Sequence, residues 1–299
     1  MNLVLGEVAA VASALCFSIT SIFFTSAGRS VGAALPMRLA LPLAWLMLAL
    51  VHWLRLGQPL PLDAGQQAWI YLGLSGVFGF WLGMVVVLQA LVLIGPRLSS
   101  LVIAFAPVLT TIFAWIIFDE ALDGLTVFGI VLTIGGIIVV VADKSALKAA
   151  ESKQALRLGV IMALLGALGQ AVSVLLARQG LATGIDPLSG NMVRISTGML
   201  ALWIWTILHG QAGATLRAFS THPAAFRMVA LASLFGPFTG ALLVLVALQN
   251  APVGIATTLS NLTPVFLIPI SYIVFREAVT LRAVVGTVVA LTGTALLFL

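Results

Sequence analysis

The feature that most constrains this chain is that half of it is written twice. Displaced by 157 positions, residues 97–142 lie over residues 254–299 without a gap: Pro107 falls on Pro264, Phe118 on Phe275, Glu120 on Glu277, Gly129 on Gly286 and Gly136 on Gly293. At the same offset FGFWLG (Phe78 to Gly83) covers FGPFTG (Phe235 to Gly240). The earlier part of each copy matches more loosely, Gly6 with Gly159 and Arg38 with Arg194. A repeat of this length that is apolar throughout marks a duplicated membrane bundle, not a water-soluble solenoid.

Composition supplies the solvent. Apolar residues make up 62% of the chain and charged residues 8%, against about a quarter charged in soluble domains. Uncharged stretches of about 20 residues recur, the length that crosses a hydrocarbon layer of about 30 Å at about 1.5 Å per residue. Ten such spans can be read at 3–26, 34–55, 67–94, 97–118, 124–142, 157–179, 188–208, 225–249, 252–275 and 280–299. Five spans to a copy is an odd number, so the second copy must enter the bilayer from the opposite face, giving an all-α fold of two inverted five-helix repeats. The charged run DKSALKAAESKQALR joins them, and predicts one repeat over 1–143, a linker over 144–156 and a second repeat over 157–299. The opening span lacks a basic lead and aligns with a later internal one, so it reads as a retained helix, not a cleaved signal.

Several functions are excluded by what the sequence lacks. Its basic residues stand singly at span ends, where they anchor to headgroups, and form no patch for nucleic acid. No glycine loop followed by Lys-Ser or Lys-Thr is present to hold a nucleotide, no HExxH binds zinc, and no pair of deep aspartates serves proteolysis. Cys16 is the single cysteine, which leaves no intrachain disulfide and no multi-thiolate metal site. No cofactor, no metal and no enzymatic activity are expected.

The chemistry must then come from polar and aromatic groups inside the spans. Ser18, Gln89, Thr110, Gln170, Thr258 and Asn261 lie deep in apolar runs, where an unpaired polar group is costly; they are expected to face the bundle interior or a wet cavity. Pro107 and Pro264 remove a backbone donor and free a carbonyl one turn upstream, beside Asn261 in the second copy. Phe78, Trp81, Phe235 and Phe238 flank two Gly-x3-Gly seams that allow close helix approach, and are further candidates for contact with a solute. Arg38 and Arg194 hold equivalent places; they either attract a carboxylate or phosphate as a pair, or snorkel and cap. Asp119, Glu120 and Glu277 close their spans and read as interfacial termination. Glu7 lies about one turn from the start of the first span, at headgroup level.

AFAPVLTTIFAWIIFDEAL and SNLTPVFLIPISYIVFREAVTLRAVVGTVVALTGTALLF resemble the fourth and ninth helices, each with its successor, of EamA-type carriers in the drug/metabolite transporter superfamily. GVIMALLGALGQAVSVLLARQG resembles the sixth helix. The resemblance runs the whole chain and implies ten helices, inverted duplication and alternating access around a cavity lined mainly by helices one, three, four, six, eight and nine. It further implies a secondary transporter in a bacterial inner membrane, working as a monomer on a small-molecule solute, most often exporting amino acids or related metabolites. Two alternatives stand beside it: a proton-coupled exporter of cationic drugs or amines, using Glu7, and a membrane enzyme acting on lipid-linked substrates. The chain departs from many such carriers at Gln170, where an aromatic residue is common; Cys16-Phe17 holds the matching place in the first helix.

Overall fold

The computed structural model describes residues 3–118, 123–143, 150, 152–276 and 280–297. Asp119, Glu120 and Glu277 lie outside them. Every regular element among the described residues is helical. Helix α1, Leu3–Val31, ends before Gly32, whose φ of 88° suits glycine alone. Helix α2, Leu35–Leu56, starts on Pro36 and stops at Gly57, whose left-handed backbone returns its N–H to the Trp53 carbonyl. Helix α3, Gln66–Gly76, runs through a π-helical turn π1, Val77–Gly83, into α4, Met84–Ile103. Gly95 (φ 76°, ψ 166°) and Pro96 break α4 internally, dividing the third expected span from the fourth.

After a two-residue turn come α5, Ala106–Phe118, and α6, Gly124–Val141, the latter capped by the Asp123 carboxylate. The second half repeats the pattern with α7, Lys153–Leu181, and α8, Pro187–Leu208. It continues through a short helix α9, Ala212–Thr221, which is not among the spans expected from sequence. Then follow α10, Pro223–Ser233, π2, Leu234–Gly240, and α11, Ala241–Asn250. The chain closes with α12, Val253–Ser260, α13, Thr263–Phe275, and α14, Leu281–Leu296. Among the described residues eight helical segments are long and apolar enough to cross a membrane, and Leu281–Leu296 is a shorter apolar helix. One of the eight, Gln66–Phe113, is 48 residues long and contains the Gly95 break. Large apolar side chains face outward, among them Leu54 at 75%, Leu208 at 76% and Ile273 at 75% exposure. Only lipid makes such a surface tolerable, so the protein is an integral membrane protein.

The two halves pack crosswise. Helix α1 lies against α10, π2 and α11, while its counterpart α7 lies against α3, π1 and α4; α2 meets α8, and α6 meets α14. In the last pair a Cβ on Gly129 would stand 2.7 Å from the Gly293 carbonyl oxygen, and one on Gly136 2.5 Å from that of Gly286. Between them Thr133 Oγ1 reaches the Ala290 carbonyl at 3.3 Å. Partner numbers fall as these numbers rise, so α6 and α14 are antiparallel. Thr133 meets the residue that is its own equivalent, 157 positions on. The main apolar core, with Phe24, Met37, Leu41, Leu88 and Ile195, joins α1, α2, α4 and α8 and anchors both halves to one body.

Candidate functional site

Two helices are interrupted at the same place in the duplicated sequence. Ala104–Phe105 separates α4 from α5, and Asn261–Leu262 separates α12 from α13. The cause is the proline two residues on: Pro107 and Pro264 occupy the first turn of the new helix, where a missing N–H costs nothing. Pro107 has no donor to give the Ile103 carbonyl, and Pro264 none to give that of Ser260, which is approached instead by Thr263 Oγ1 at 3.4 Å. Both prolines, read from the sequence as helix breaks, stand at the start of the helix that follows the interruption.

A cavity of about 170 Å³ opens beside both breaks. By the rule that one water needs at least about 10–15 Å³ of such space, it holds on the order of ten waters or one small organic molecule. Much of its wall comes in equivalent pairs: Phe17 with Gln170, Val87 with Val244, Ser100 with Thr257, and Pro107 with Pro264. Both halves thus build one chamber. Among the described residues no aspartate or glutamate lines it.

Of the residues singled out from sequence, Thr110, Gln170, Asn261, Pro107 and Pro264 are brought together in this wall. Thr110 Oγ1 donates to the Ala106 carbonyl at 3.0 Å, and Asn261 Nδ2 to that of Thr257 at 2.7 Å. Gln170 is exposed to the chamber and makes no hydrogen bond among the described residues. The others lie elsewhere. Ser18 is fully buried, donating to the Ala14 carbonyl at 2.7 Å and the Thr263 carbonyl at 3.2 Å, which ties α1 to the start of α13. Gln89 is on the exposed side of α4. The Thr258 hydroxyl is buried without a partner among the described residues and outside the wall.

The aromatic expectation differs most from the structure. Trp81 and Phe238 pack against the main apolar core, Trp81 also meeting Trp205 at 5.9 Å between ring centroids. Phe78 and Phe235 are half-buried and outside the wall. The side chain that reaches the chamber is Phe80, together with Gly79 and Gly83. The physical reason is π1 and π2: a turn closed by i→i+5 bonds holds an extra residue, so side chains past it leave the face that α-helical spacing assigns them. The glycine seams do serve close approach, Gly79 and Gly83 against Ser173 and Gly169 of α7, Gly236 and Gly240 against Thr20 and Phe17 of α1. Sequence reading also passed over Ser100 and Thr257, although two hydroxyls at one repeated position, each seven residues before its proline, were a usable signal.

The two equivalent arginines part company. Arg38 turns outward to the Thr215 hydroxyl of α9 at 3.2 Å and to the side-chain oxygen of Gln211, the residue just before that helix. Arg194 is 8% exposed and lines the chamber. Its Nε donates to Ser75 Oγ at 3.0 Å and its Nη2 to Ser173 Oγ at 3.2 Å, with the guanidinium 5.2 Å from the Phe80 ring centroid. Ser75 and Ser173 also bond to each other's carbonyls, at 2.7 and 2.8 Å, locking α3 to α7 beneath the arginine. In the other half the residue equivalent to Ser75 is Ala232, which offers no acceptor.

The comparisons with known proteins agree with this architecture. No curated protein matches the sequence. A solved structure titled "Crystal structure of protein" is similar in fold, with a TM-score of 0.66 at 17% identity, covering 99% of this chain and 96% of that one. The model of the EamA-like transporter family matches twice, over residues 4–142 and 157–299. With both matches together spanning nearly the whole sequence, the chain belongs to the EamA-like transporter family, within the drug/metabolite transporter superfamily.

Proposed function

We propose that the protein is a secondary transporter that moves small organic solutes, by export of amino acids or related metabolites, through alternating access around the chamber. The observation that carries this is the chamber itself: both halves contribute equivalent residues to one wall, and it sits at two helix breaks placed identically in the repeat. Broken helices at the meeting of two repeats are where carriers of this kind place a solute, because interrupted backbone is tolerated in a bilayer only where it lines a cavity.

On this reading the eight long segments become ten crossings, once Gln66–Phe113 is divided at Gly95 and Leu281–Leu296 is counted. The antiparallel contact of α6 with α14, in which Thr133 meets its own equivalent, supports an inverted repeat with its axis in the bilayer plane. The repeats are assigned to 1–143 and 157–299 with the linker 144–156 between them. One chain suffices, in the inner membrane of a bacterium, with exchange or downhill flux as the driving mode. Purified protein in liposomes tests this. Saturable counterflow of a labelled amino acid or related metabolite is expected; absence of counterflow for every solute tried, in folded protein, refutes it.

A further inference from the structure

Resting on that carrier reading, we infer that Arg194 is the group that binds the solute, through a carboxylate, so that the chamber selects organic anions and zwitterions over amines and neutral analogues. Arg194 is the one charged side chain in the described wall, and it is buried. A guanidinium stays protonated and has five N–H donors. Two are used, on the neutral hydroxyls of Ser75 and Ser173. The Nη1 group has no partner among the described residues and is not among the buried atoms left unpaired, and the side chain that carries it lines the chamber. No carboxylate of the described residues neutralises it. A buried charge without a counter-charge is unfavourable, and its most direct compensation is an anion arriving from the chamber.

Two further observations point the same way. The starts of α5 and α13, at Ala106-Pro107 and Thr263-Pro264, face the same space. Each is the positive end of a 13-residue helix, and each favours a negative group nearby. The wall is also unequal around the arginine: Gly79, Phe80 and Arg194 line it, whereas their equivalents Gly236, Pro237 and Arg38 do not. A purely structural arginine, kept in both halves for packing, gives no reason for that difference. A binding group for a single solute does, since one solute needs one anchor. Ser75 and Ser173 hold the guanidinium plane in place and leave its free edge to donate to the two oxygens of a carboxylate.

The test uses the full chain in liposomes with matched solutes: amino acids, their amides, and the corresponding decarboxylated amines, with inorganic phosphate as a competing oxyanion. Wild type is expected to exchange the acids at least tenfold more efficiently than the amides, as one charge-assisted pair implies, and to be inhibited weakly by phosphate. Arg194→Gln should bring acid and amide to within about twofold, while Arg194→Lys, which keeps charge but not the fork, retains the preference at reduced affinity. If Arg194→Gln does not fold, the wild-type ratio and the Arg194→Lys result decide. The inference is overturned if wild type prefers amides or amines, or if folded Arg194→Gln keeps the wild-type acid preference; inhibition by phosphate as strong as by the acids would replace the carboxylate with a phosphate ligand. Counterflow of neutral or cationic solutes alone leaves the carrier standing and removes this inference, whereas no counterflow at all removes both.

Discussion

Gly136 and Gly135 are neighbours in one helix, and the structure gives them opposite sensitivities to the same added methyl group. A Cβ on Gly136 would stand 2.4 Å from the Ala290 nitrogen and 2.5 Å from the Gly286 carbonyl oxygen, both backbone atoms that no rotamer change can clear. Relief to an ordinary contact of about 3.4 Å requires α6 and α14 to separate by about 1 Å, and overpacking of this kind costs about 1–3 kcal/mol. A Cβ on Gly135 meets nothing within 4 Å. Both substitutions gain the same helix propensity, about 0.8–1.0 kcal/mol for Gly to Ala. The expected difference between Gly136→Ala and Gly135→Ala is therefore the clash alone, about 1–3 kcal/mol. Thermal unfolding of the two purified variants in one detergent reads it directly: Gly135→Ala at or slightly above the wild-type Tm, Gly136→Ala several degrees below Gly135→Ala. Equal Tm values would mean that α6 and α14 do not pack through this seam, and the contact that supports the inverted arrangement would be lost.

Four other outcomes follow from particular contacts. Gln170→Leu removes a chamber-facing amide with no internal partner, so KM for the transported solute should rise about two- to tenfold with Tm unchanged; a fall in Tm without a change in KM would contradict its placement. Trp81→Ala, losing half-buried packing against the core and Trp205, should cost about 1–3 kcal/mol of stability and leave KM as it was; a selective effect on KM would return Trp81 to the solute. The Asp123 carboxyl is held below its usual range because it accepts from Thr126, first by a side-chain and then by a backbone bond. Its capping contribution is present above the ordinary carboxylate range and lost as pH falls through the depressed value, so Asp123→Asn should flatten the acid limb of a Tm-against-pH curve. A cysteine added after Leu299 and probed in intact cells reports which side holds the terminus, on which the positive-inside rule and the family resemblance give opposite expectations: labelling from outside supports the first, labelling only after lysis the second.

The helical class, the membrane, the duplication and the two helix breaks were all legible in one dimension. Each follows from a local property: apolar length, an offset shared by glycines and prolines, and a ring that removes a backbone donor. Thr110, Gln170 and Asn261 could be found as well, as polar groups deep in apolar spans, although Gln89, chosen by the same rule, lies on the exposed side of α4. What the sequence could not decide was which of two equivalent residues faces the chamber. The FGFWLG segment reads as an α-helical face, but π1 adds a residue to the turn and brings Phe80 inward in place of Phe78 and Trp81. Arg38 and Arg194 align in the repeat, yet their orientation depends on acceptors donated by other helices, Ser75 and Ser173 for one, Gln211 and Thr215 for the other. Helix type and helix ends are settled by neighbours in sequence, whereas the direction of a long side chain is settled by neighbours in space, and those exist only once α3, α7 and α8 have come together.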